Sequence, residues 1–265
     1  MHEIKWDKEK IQNFWNNLSA NGVCSDLYFS RQKGHSVLKL VGKYIEVSGR
    51  VVDLGCGPGY LIEHLLAAGI PCQGADLSPE SVRRLNERLA GNPLFRGATS
   101  CDLPTEVPFA PDSVDVMFFL ETLEHLLSED RDECLRNIHS ALAEGGHLVI
   151  TVPFREDLER SKVVCPRCGC RFHRVQHVHA YDARSLVALL ERHDISAVFC
   201  RPVILLPEWR IYLRSLFYGA KDQPLICPEC SHAFRIKGGF WRNLAGKFLI
   251  NKIYHLVFIG RKRPS

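Results

Sequence analysis

The stretch from Val51 to Tyr60 constrains the possible folds of this 265-residue chain more than any other. Val51 and Val52 are β-branched and predict a buried strand, which runs into a turn with glycine at three alternate positions. Glycine lets the backbone turn tightly and lets a ligand approach without side chains in the way. Apolar residues at helical spacing follow and stop at Gly69, a good left-handed cap. A strand, a glycine turn and a helix in this order predict the first unit of a nucleotide-binding domain.

The glycine spacing separates two classes of nucleotide site. A dinucleotide-binding fold has the pattern G-x-G-x-x-G, in which the third glycine permits close packing of helix on strand. Here Tyr60 occupies that third position, and residues 53–59 read D-L-G-C-G-P-G. This string resembles motif I of the class I S-adenosylmethionine-dependent methyltransferases. The resemblance implies a Rossmann-like, doubly wound α/β fold, whose mostly parallel seven-stranded sheet has an antiparallel last strand.

Three later segments continue the resemblance in the family's order. The predicted strand 72–76 ends in Asp76, where an acid can accept hydrogen bonds from both ribose hydroxyls. Residues 101–104 (C-D-L-P) match the family's acidic loop beside the adenine amino group, and residues 113–120 look like its fourth strand. Taken singly, each acid could equally be a solvated loop carboxylate or a helix cap. Together they imply S-adenosylmethionine as the cofactor. The residues predicted to bind it are Asp53, Gly55, Cys56, Gly57, Gly59, Asp76, Leu77, Asp102, Leu103 and Leu120.

Strands and helices alternate regularly through the middle of the chain, which predicts a parallel sheet with right-handed crossovers. The predicted strands are 51–54, 72–76, 94–99, 114–120, 147–153, 195–205 and 253–259, and the predicted helices are 8–18, 35–45, 59–68, 78–90, 128–143 and 185–190. Ligands of such sheets bind outside the carboxyl ends of the strands, where all the motifs fall. We expect an N-terminal helical cap over residues 1–48 and a methyltransferase domain over residues 49–265. Tyr28 and Phe29, between the first two helices, either lie on the cofactor or serve packing alone.

Two C-P-x-C knuckles interrupt the regular pattern, one after the strand 147–153 and one before the last strand. Paired knuckles are the sequence form of a tetrahedral zinc site, with reduced free thiols as the alternative. We predict structural zinc on Cys165, Cys168, Cys227 and Cys230, with Cys170, His173 and His232 as competing ligands. Four thiolates would leave no open position for chemistry. The zinc would join two insertions, at about 155–180 and 206–250, into a lid that sets substrate choice.

Candidate catalytic residues follow the fourth core strand as E-x-x-E-H, residues 121–125. If Glu121 opens a helical turn, Glu124 and His125 point the same way. The string resembles the metal-binding segment of small-RNA 3′-end methyltransferases and a segment of ubiquinone-pathway O-methyltransferases, where a divalent ion helps to activate the hydroxyl. Three interpretations stay open: Mg²⁺ or another divalent ion at these residues, His125 as general base, or a purely structural role. Alternation on an extended segment puts His177 and His179 on one side, so either can join the site or lie exposed in a loop.

Charge is distributed unevenly, with a net charge of +4 for the whole chain but +9 from Arg201 onward. A basic end region indicates an anionic partner such as nucleic acid, a phosphorylated substrate or a membrane surface, or else an ordinary solvated face. The segment 239–249 mixes aromatic residues with cations, which suits peripheral membrane contact or packing on the zinc lid. Without a leader or an apolar run of about 18 residues, we expect a cytoplasmic protein with no transmembrane segment.

These features together predict an S-adenosylmethionine-dependent methyltransferase. We expect O-methylation of a small-molecule, glycan or lipid-linked acceptor. The knuckles, the basic end region and E-x-x-E-H leave RNA methylation as the alternative. A second alternative is a non-catalytic zinc-containing binding module with a vestigial cofactor site.

Overall fold

A central sheet of seven strands organises the protein. The computed structural model describes residues 1–20, 28–103, 105–206, 223–236 and 254–264. The strands are β1 (His2–Glu3), β2 (Val51–Leu54), β3 (Cys72–Asp76), β4 (Phe95–Ser100), β5 (Val114–Leu120), β6 (Leu142–Pro153), β7 (Lys162–Val164), β8 (Cys170–His173), β9 (Ile195–Val203), β10 (Gln223–Ile226), β11 (Ala233–Ile236) and β12 (His255–Lys262). The helices are α1 (Lys8–Ala20), α2 (Phe29–Val41), α3 (Tyr60–Ala67), α4 (Pro79–Leu89), α5 (Ser128–Ala141) and α6 (Ala183–Glu191).

The strand order of the large sheet is β4-β3-β2-β5-β6-β12-β9. Neighbouring strands from β4 to β6 run parallel, and β12 is antiparallel to both β6 and β9. One apolar cluster packs α5 and α6 on one face, and a second packs α2, α3 and α4 on the other. The predicted doubly wound α/β sheet with an antiparallel last strand is therefore confirmed. Because its central strands are covered on both faces, they read as continuous apolar runs.

The largest error in the predicted element boundaries concerns α2. The sequence pattern predicts a helix over residues 35–45, whereas the helix spans Phe29–Val41. Gly34 lies inside it, and a Cβ atom there would lie 2.5 Å from Cδ2 of His64 on α3. This glycine therefore permits close packing of two helices rather than ending one. The early start brings Phe29 and Lys33 over the carboxyl edge of the sheet.

Two small hairpins lie outside the large sheet, and the sequence pattern predicts neither as strands. β7 and β8 pair antiparallel, and β1 adds to β8 in parallel, whereas β10 pairs with β11. Their cysteines and Phe172 form a separate buried cluster, against which Ile4 and Trp6 pack. Within the described ranges, no helix has the length and apolar character needed to cross a bilayer. The segment 239–249 lies outside the described residues.

Candidate active site

A cavity of about 1040 Å³ opens at the carboxyl edge of the large sheet, with α1 and α2 lying over it. Eight of the predicted cofactor residues line this cavity: Gly55, Cys56, Gly57, Asp76, Leu77, Asp102, Leu103 and Leu120. Tyr28 and Phe29 line it as well, from the start of α2. Asp53 and Gly59 do not. The topology therefore gathers most of the sequence-predicted cofactor set around one space.

The glycine turn brings β2 close to its neighbours. Gly55 has φ +76°, and a Cβ atom there would lie 2.5 Å from Oγ1 of Thr122, which follows β5. Gly59 has φ +82°, and its Cβ atom would lie 2.3 Å from Cδ1 of Leu85 on α4. Gly55 therefore permits a close approach at the cavity wall, whereas Gly59 permits packing between α3 and α4 behind it.

Asp76 links the tip of β3 to the glycine turn. Its Oδ2 accepts a hydrogen bond from the Gly57 N–H at 2.7 Å, and its Oδ1 accepts one from the Ser78 N–H at 2.8 Å. Burial raises the pKa of Asp76, while these two hydrogen bonds act in the opposite direction. Each carboxylate oxygen keeps further lone-pair capacity for a ligand hydroxyl. Asp53 lies buried beneath the turn, where burial and the nearby Asp76 raise its pKa well above the ordinary value.

Asp102 lies at the exposed rim of the cavity, after β4. Its Oδ2 accepts a hydrogen bond from Oγ1 of Thr105 at 3.1 Å. The neighbouring Leu103 is buried and packs into the core cluster that includes β2 and β5. A polar rim beside an apolar floor suits the edge and face of a heterocyclic base.

The E-x-x-E-H segment does not form the predicted single helical turn. Glu121 has φ +47° and donates its backbone N–H to the carbonyl of Thr151 at 2.8 Å, so it continues the strand pairing of β5 with β6. Only Leu123–His125 form a short 3₁₀ turn. The condition for Glu121, Glu124 and His125 to point the same way, a helical turn opened by Glu121, is therefore not met, because the chain passes through a left-handed residue between the strand and the short turn. Glu121 lies outside the group that Glu124 forms with two histidines, although its charge helps to raise the pKa of Glu124.

The first group combines Glu124, His125 and His177, one ligand atom of each lying within 4.8 Å of the others. The Glu124 side chain is fully buried, and within the described chain neither of its oxygens has a hydrogen-bond partner. Nε2 of His177 lies 3.8 Å from Oε1 of Glu124. Burial raises the pKa of Glu124 well above its ordinary value and lowers that of His125 well below its own. Both imidazoles are therefore uncharged at neutral pH, since burial also lowers the pKa of His177.

Both imidazoles have Nδ1 directed at an acceptor. Nδ1 of His125 lies 3.3 Å from the backbone carbonyl of Gln176, and Nδ1 of His177 hydrogen-bonds to the carboxylate of Glu156. A carbonyl oxygen can only accept, so Nδ1 of His125 carries the proton and Nε2 keeps its lone pair. The pairing with Glu156 assigns the same tautomer to His177. Imidazoles held in this way are typical of metal ligands and of general bases.

Gln176 connects three parts of the site, although no sequence signal indicates it. It is fully buried with φ +61°, and its Nε2 donates to the backbone carbonyl of His125 at 2.9 Å. Its Oε1 accepts from Nε1 of Trp15 on α1 at 3.0 Å. The Trp15 ring lies edge-on to His125, with ring centroids 4.8 Å apart.

The second group contains Glu121, His255 and Lys33, all lining the same cavity. Nζ of Lys33 lies 3.3 Å from Nδ1 of His255, whose Nε2 lies 3.8 Å from Oε2 of Glu121. Burial raises the pKa of Glu121 to about 7, while Thr151 and Lys33 oppose the rise. Burial also lowers the pKa of Lys33. Lys33 and His255 carry no motif, so sequence reasoning missed both.

His179 does not share a side with His177. Its Nε2 lies 3.5 Å from Oγ of Ser128, away from the cavity lining, whereas His177 lines the cavity. The left-handed Gln176 precedes this segment, and the N–H groups of both Val178 and His179 point to the carbonyl of Glu124. The backbone is not a regular strand, so the expected alternation fails.

The two cysteine knuckles meet outside this cavity. Ligand atoms of Cys165, Cys168, Cys227 and Cys230 all lie within 4.8 Å of one another, and this group contains none of the competing residues Cys170, His173 and His232. The loops have matching hydrogen bonds, from Cys165 N–H to the carbonyl of Cys170 at 2.8 Å and from Cys227 N–H to that of His232 at 2.9 Å. Burial opposes ionisation of Cys165, but N–H groups of residues 167 and 168 lower its pKa to about 7.

Comparison with known proteins identifies the domain. A methyltransferase domain family matches residues 28–198. The chain belongs to this family. The ubiquinone biosynthesis O-methyltransferase of Xanthomonas euvesicatoria is 35% identical to this methyltransferase over 118 residues, covering 43% of the chain and 47% of the relative. The carboxy-S-adenosyl-L-methionine synthase of Trichodesmium erythraeum is 28% identical over 141 residues, covering 52% and 55%. The chain thus spans about half the length of these curated relatives.

Solved structures agree in fold. A complex of the Haloferax volcanii Trm112 methyltransferase activator with a putative methyltransferase contains a chain that matches with a TM-score of 0.65 at 18% identity, covering 96% of this methyltransferase and 98% of that chain. Phosphoethanolamine N-methyltransferase 2 of Haemonchus contortus, with S-adenosyl-L-methionine, matches with a TM-score of 0.59 at 15% identity, covering 94% and 60%. The predicted enzyme class, an S-adenosylmethionine-dependent methyltransferase, is confirmed.

Proposed function

We propose that this methyltransferase methylates a hydroxyl oxygen of a small-molecule, glycan or lipid-linked acceptor bound in the cavity. One observation carries the proposal: the cavity that holds the glycine turn and Asp76 also holds His125 and His177, each with Nδ1 tied to an acceptor and Nε2 available. An uncharged imidazole can take the proton that a hydroxyl must lose on methylation. The 35% identity to a protein named an O-methyltransferase supports the same acceptor atom.

We assign the cofactor to the half of the cavity that contains the glycine turn. We assign the ribose to Asp76, the adenine to Asp102 and Leu103, and the methionine part to the turn at Gly55 and Gly57. Leu77 and Leu120 supply apolar walls, and the Cys56 thiol beside the turn stays protonated because burial raises its pKa well above the ordinary value. Asp53 and Gly59 support the turn from outside the cavity.

The chemistry needs alignment and one proton acceptor. The acceptor oxygen attacks the sulfonium methyl in line, so a carbon–oxygen bond forms as the carbon–sulfur bond breaks and S-adenosylhomocysteine leaves. The hydroxyl proton passes to Nε2 of His125. Holding both reactants in one cavity supplies much of the rate enhancement through proximity.

A divalent ion fits the first group as a further possibility. Glu124, His125 and His177 would hold it, in place of the predicted set with Glu121. A buried carboxyl group without a hydrogen-bond partner in the described chain, together with two oriented imidazoles, suits a transition ion better than Mg²⁺, which prefers oxygen ligands. When bound, such an ion lowers the pKa of an acceptor hydroxyl.

The test is methyl transfer from labelled S-adenosylmethionine to a panel of phenolic, sugar and lipid-linked hydroxyl acceptors. One sample is treated with a chelator mild enough to leave the zinc content of the four-cysteine group unchanged, and one is reloaded with Mn²⁺, Zn²⁺ or Mg²⁺. Transfer that survives chelation supports His125 acting alone, and transfer restored by an ion supports the metal. Labelling confined to nitrogen or carbon acceptors would contradict the proposal.

We further propose structural zinc on Cys165, Cys168, Cys227 and Cys230, in a lid formed by the insertions at about 155–180 and 206–250. Four converging thiols with N–H groups directed at Cys165 suit thiolate ligands. Metal analysis should give about one zinc per chain. Folded, active protein that contains no zinc would contradict this.

RNA methylation is the second candidate function, favoured by the basic end region and the E-x-x-E-H resemblance. Phosphate contacts make nucleic-acid affinity fall steeply with salt, with a slope near −0.9 per neutralised phosphate. Retention of RNA that weakens between about 50 and 200 mM salt would support this candidate. A cytoplasmic location and peripheral membrane contact stay predictions.

A further inference from the structure

We infer that the cysteine ribbon is a positioning element for catalysis. The cysteine ribbon is defined here as the hairpins β7–β8 and β10–β11 with their four-cysteine group. Metal binding at the cysteines holds Gln176 and His177 against His125, so it governs methyl transfer and leaves cofactor binding unchanged. The inference rests on the proposed function, since it assumes that these histidines face the acceptor.

The ribbon continues directly into the histidine segment. β8 ends at His173, and the Gln176 N–H donates to the carbonyl of His173 at 3.0 Å. The His177 N–H donates to Nδ1 of His173 at 3.0 Å, and the His173 ring is buried and stacks on His177 with centroids 4.7 Å apart. A displacement of β8 therefore moves Gln176 and His177 with it.

The first polar group draws Glu124 and His125 from the core and His177 from the insertion. Glu124 and His125 follow β5, whereas Gln176 and His177 follow β8. The Val178 N–H links the two segments by donating a hydrogen bond to the carbonyl of Glu124 at 2.9 Å. The acceptor site is therefore complete only when the ribbon is docked.

The second hairpin ties the ribbon to α1. Glu229, in the second knuckle, lies 3.3 Å from Nζ of Lys10. α1 supplies Trp15, which contacts both Gln176 and His125. Leu225 of β10 lines the cavity directly. Both hairpins therefore act on the acceptor end of the cavity.

Among the described residues, little apolar packing joins the two hairpins. The buried cluster of the described ribbon contains Phe172 and three cysteines, with a few half-buried neighbours. A core this small does not fold alone, and small domains of this kind use metal binding as their folding free energy. The cofactor half differs, since Gly55, Gly57 and Asp76 are held by β2 and β3 inside the large sheet.

The test compares zinc-loaded protein with the Cys227→Ser/Cys230→Ser variant in the full chain. Hydrogen exchange should show loss of protection at residues 176–179, with residues 51–76 unchanged. Calorimetry with S-adenosylhomocysteine should give a Kd within about 3-fold of wild type, while kcat falls by about 100-fold, as expected for reactive groups displaced by about 1 Å. Cys200→Ser, on β9 of the large sheet, is the matched control and should change none of these.

A second variant separates positioning from folding. Gln176→Leu removes the contacts to Trp15 and His125 and leaves the cysteines intact. We expect full zinc content, unchanged cofactor affinity, and kcat reduced by about 10-fold or more with little change in the acceptor KM.

Two results would overturn the inference: full protection of residues 176–179 in the cysteine variant, or an unchanged kcat in Gln176→Leu. If zinc-loaded wild type methylates no hydroxyl acceptor, the proposed function fails. The exchange comparison would then still decide whether the ribbon positions the histidines.

Discussion

At the scale of single residues, Glu121 should make stability depend on pH. Its folded pKa is raised to about 7 by burial, with Lys33, His255, Thr151 and Glu156 as its polar surroundings. Between about pH 4.5 and 7 the folded state keeps a proton that the unfolded state has released, so the free energy of unfolding falls as pH rises. Glu121→Gln removes the titrating group, so this decrease in the free energy of unfolding should disappear. Relative to wild type it should gain on the order of 1–3 kcal/mol between pH 5 and pH 8, measured by denaturant unfolding. If the free energies of unfolding of the two proteins change in parallel with pH, the prediction is contradicted.

His125 is the residue on which the proposed proton transfer depends. His125→Asn should lower kcat by about 10²–10⁴-fold, because the proton acceptor is lost. The affinity for S-adenosylhomocysteine, measured by calorimetry, should stay nearly unchanged. His179→Asn is the matched control, since His179 lies against Ser128 outside the cavity lining. An unchanged rate in His125→Asn would reduce the residue to a packing role.

At the scale of elements, Gly55 in the turn after β2 should tolerate no side chain. Gly55→Ala combines a left-handed φ with a clash at Thr122, whereas Gly69→Ala has a similar φ of +77° and open space. Gly69→Ala should cost about 1–2 kcal/mol of stability through backbone strain alone. Gly55→Ala should lower the stability by more than this and should weaken cofactor binding by about 10-fold or more, because Thr122 must move. Thermal unfolding and calorimetry check both; equal behaviour of the two variants would show that the close approach has no importance.

The sequence predicts elements well where periodicity and caps agree, and poorly where tertiary contacts decide. β2, β3 and β5 have the predicted bounds. β2 ends at the glycine turn, and β3 ends just before the Ser78 cap and Pro79 that begin α4. The start of α2 was wrong because Gly34 serves packing. The turn at Glu121 and the bend at Gln176 have left-handed conformations that residue type does not reveal. Periodicity cannot show a pairing such as Lys33 with His255, since 222 positions separate them.

At the scale of the whole molecule, the ribbon and the large sheet should unfold separately. Two extensive apolar clusters hold the sheet, whereas the ribbon has its small cluster and the proposed zinc. Removal of zinc by chelator should therefore abolish a separate ribbon transition in calorimetry and move the main Tm by only a few degrees. Far-ultraviolet circular dichroism should change little. A single transition that collapses on chelation would show that the two parts are one cooperative unit.

The place of β12 in the large sheet has a consequence for synthesis of the chain. β12 follows β9 in sequence but lies between β6 and β9, and His255 at its start forms part of the cavity wall. A nascent chain that has reached β9 cannot yet pair it with the rest of the sheet. Long-range pairing of this kind is slow, because the chain loses the entropy of closing the long loop before any strand contact forms. Closure of the sheet and completion of the cavity wall at His255 therefore form one late event. A ribosome-bound chain that lacks β12 exposes the unpaired edges of β6 and β9, a surface that chaperones recognise.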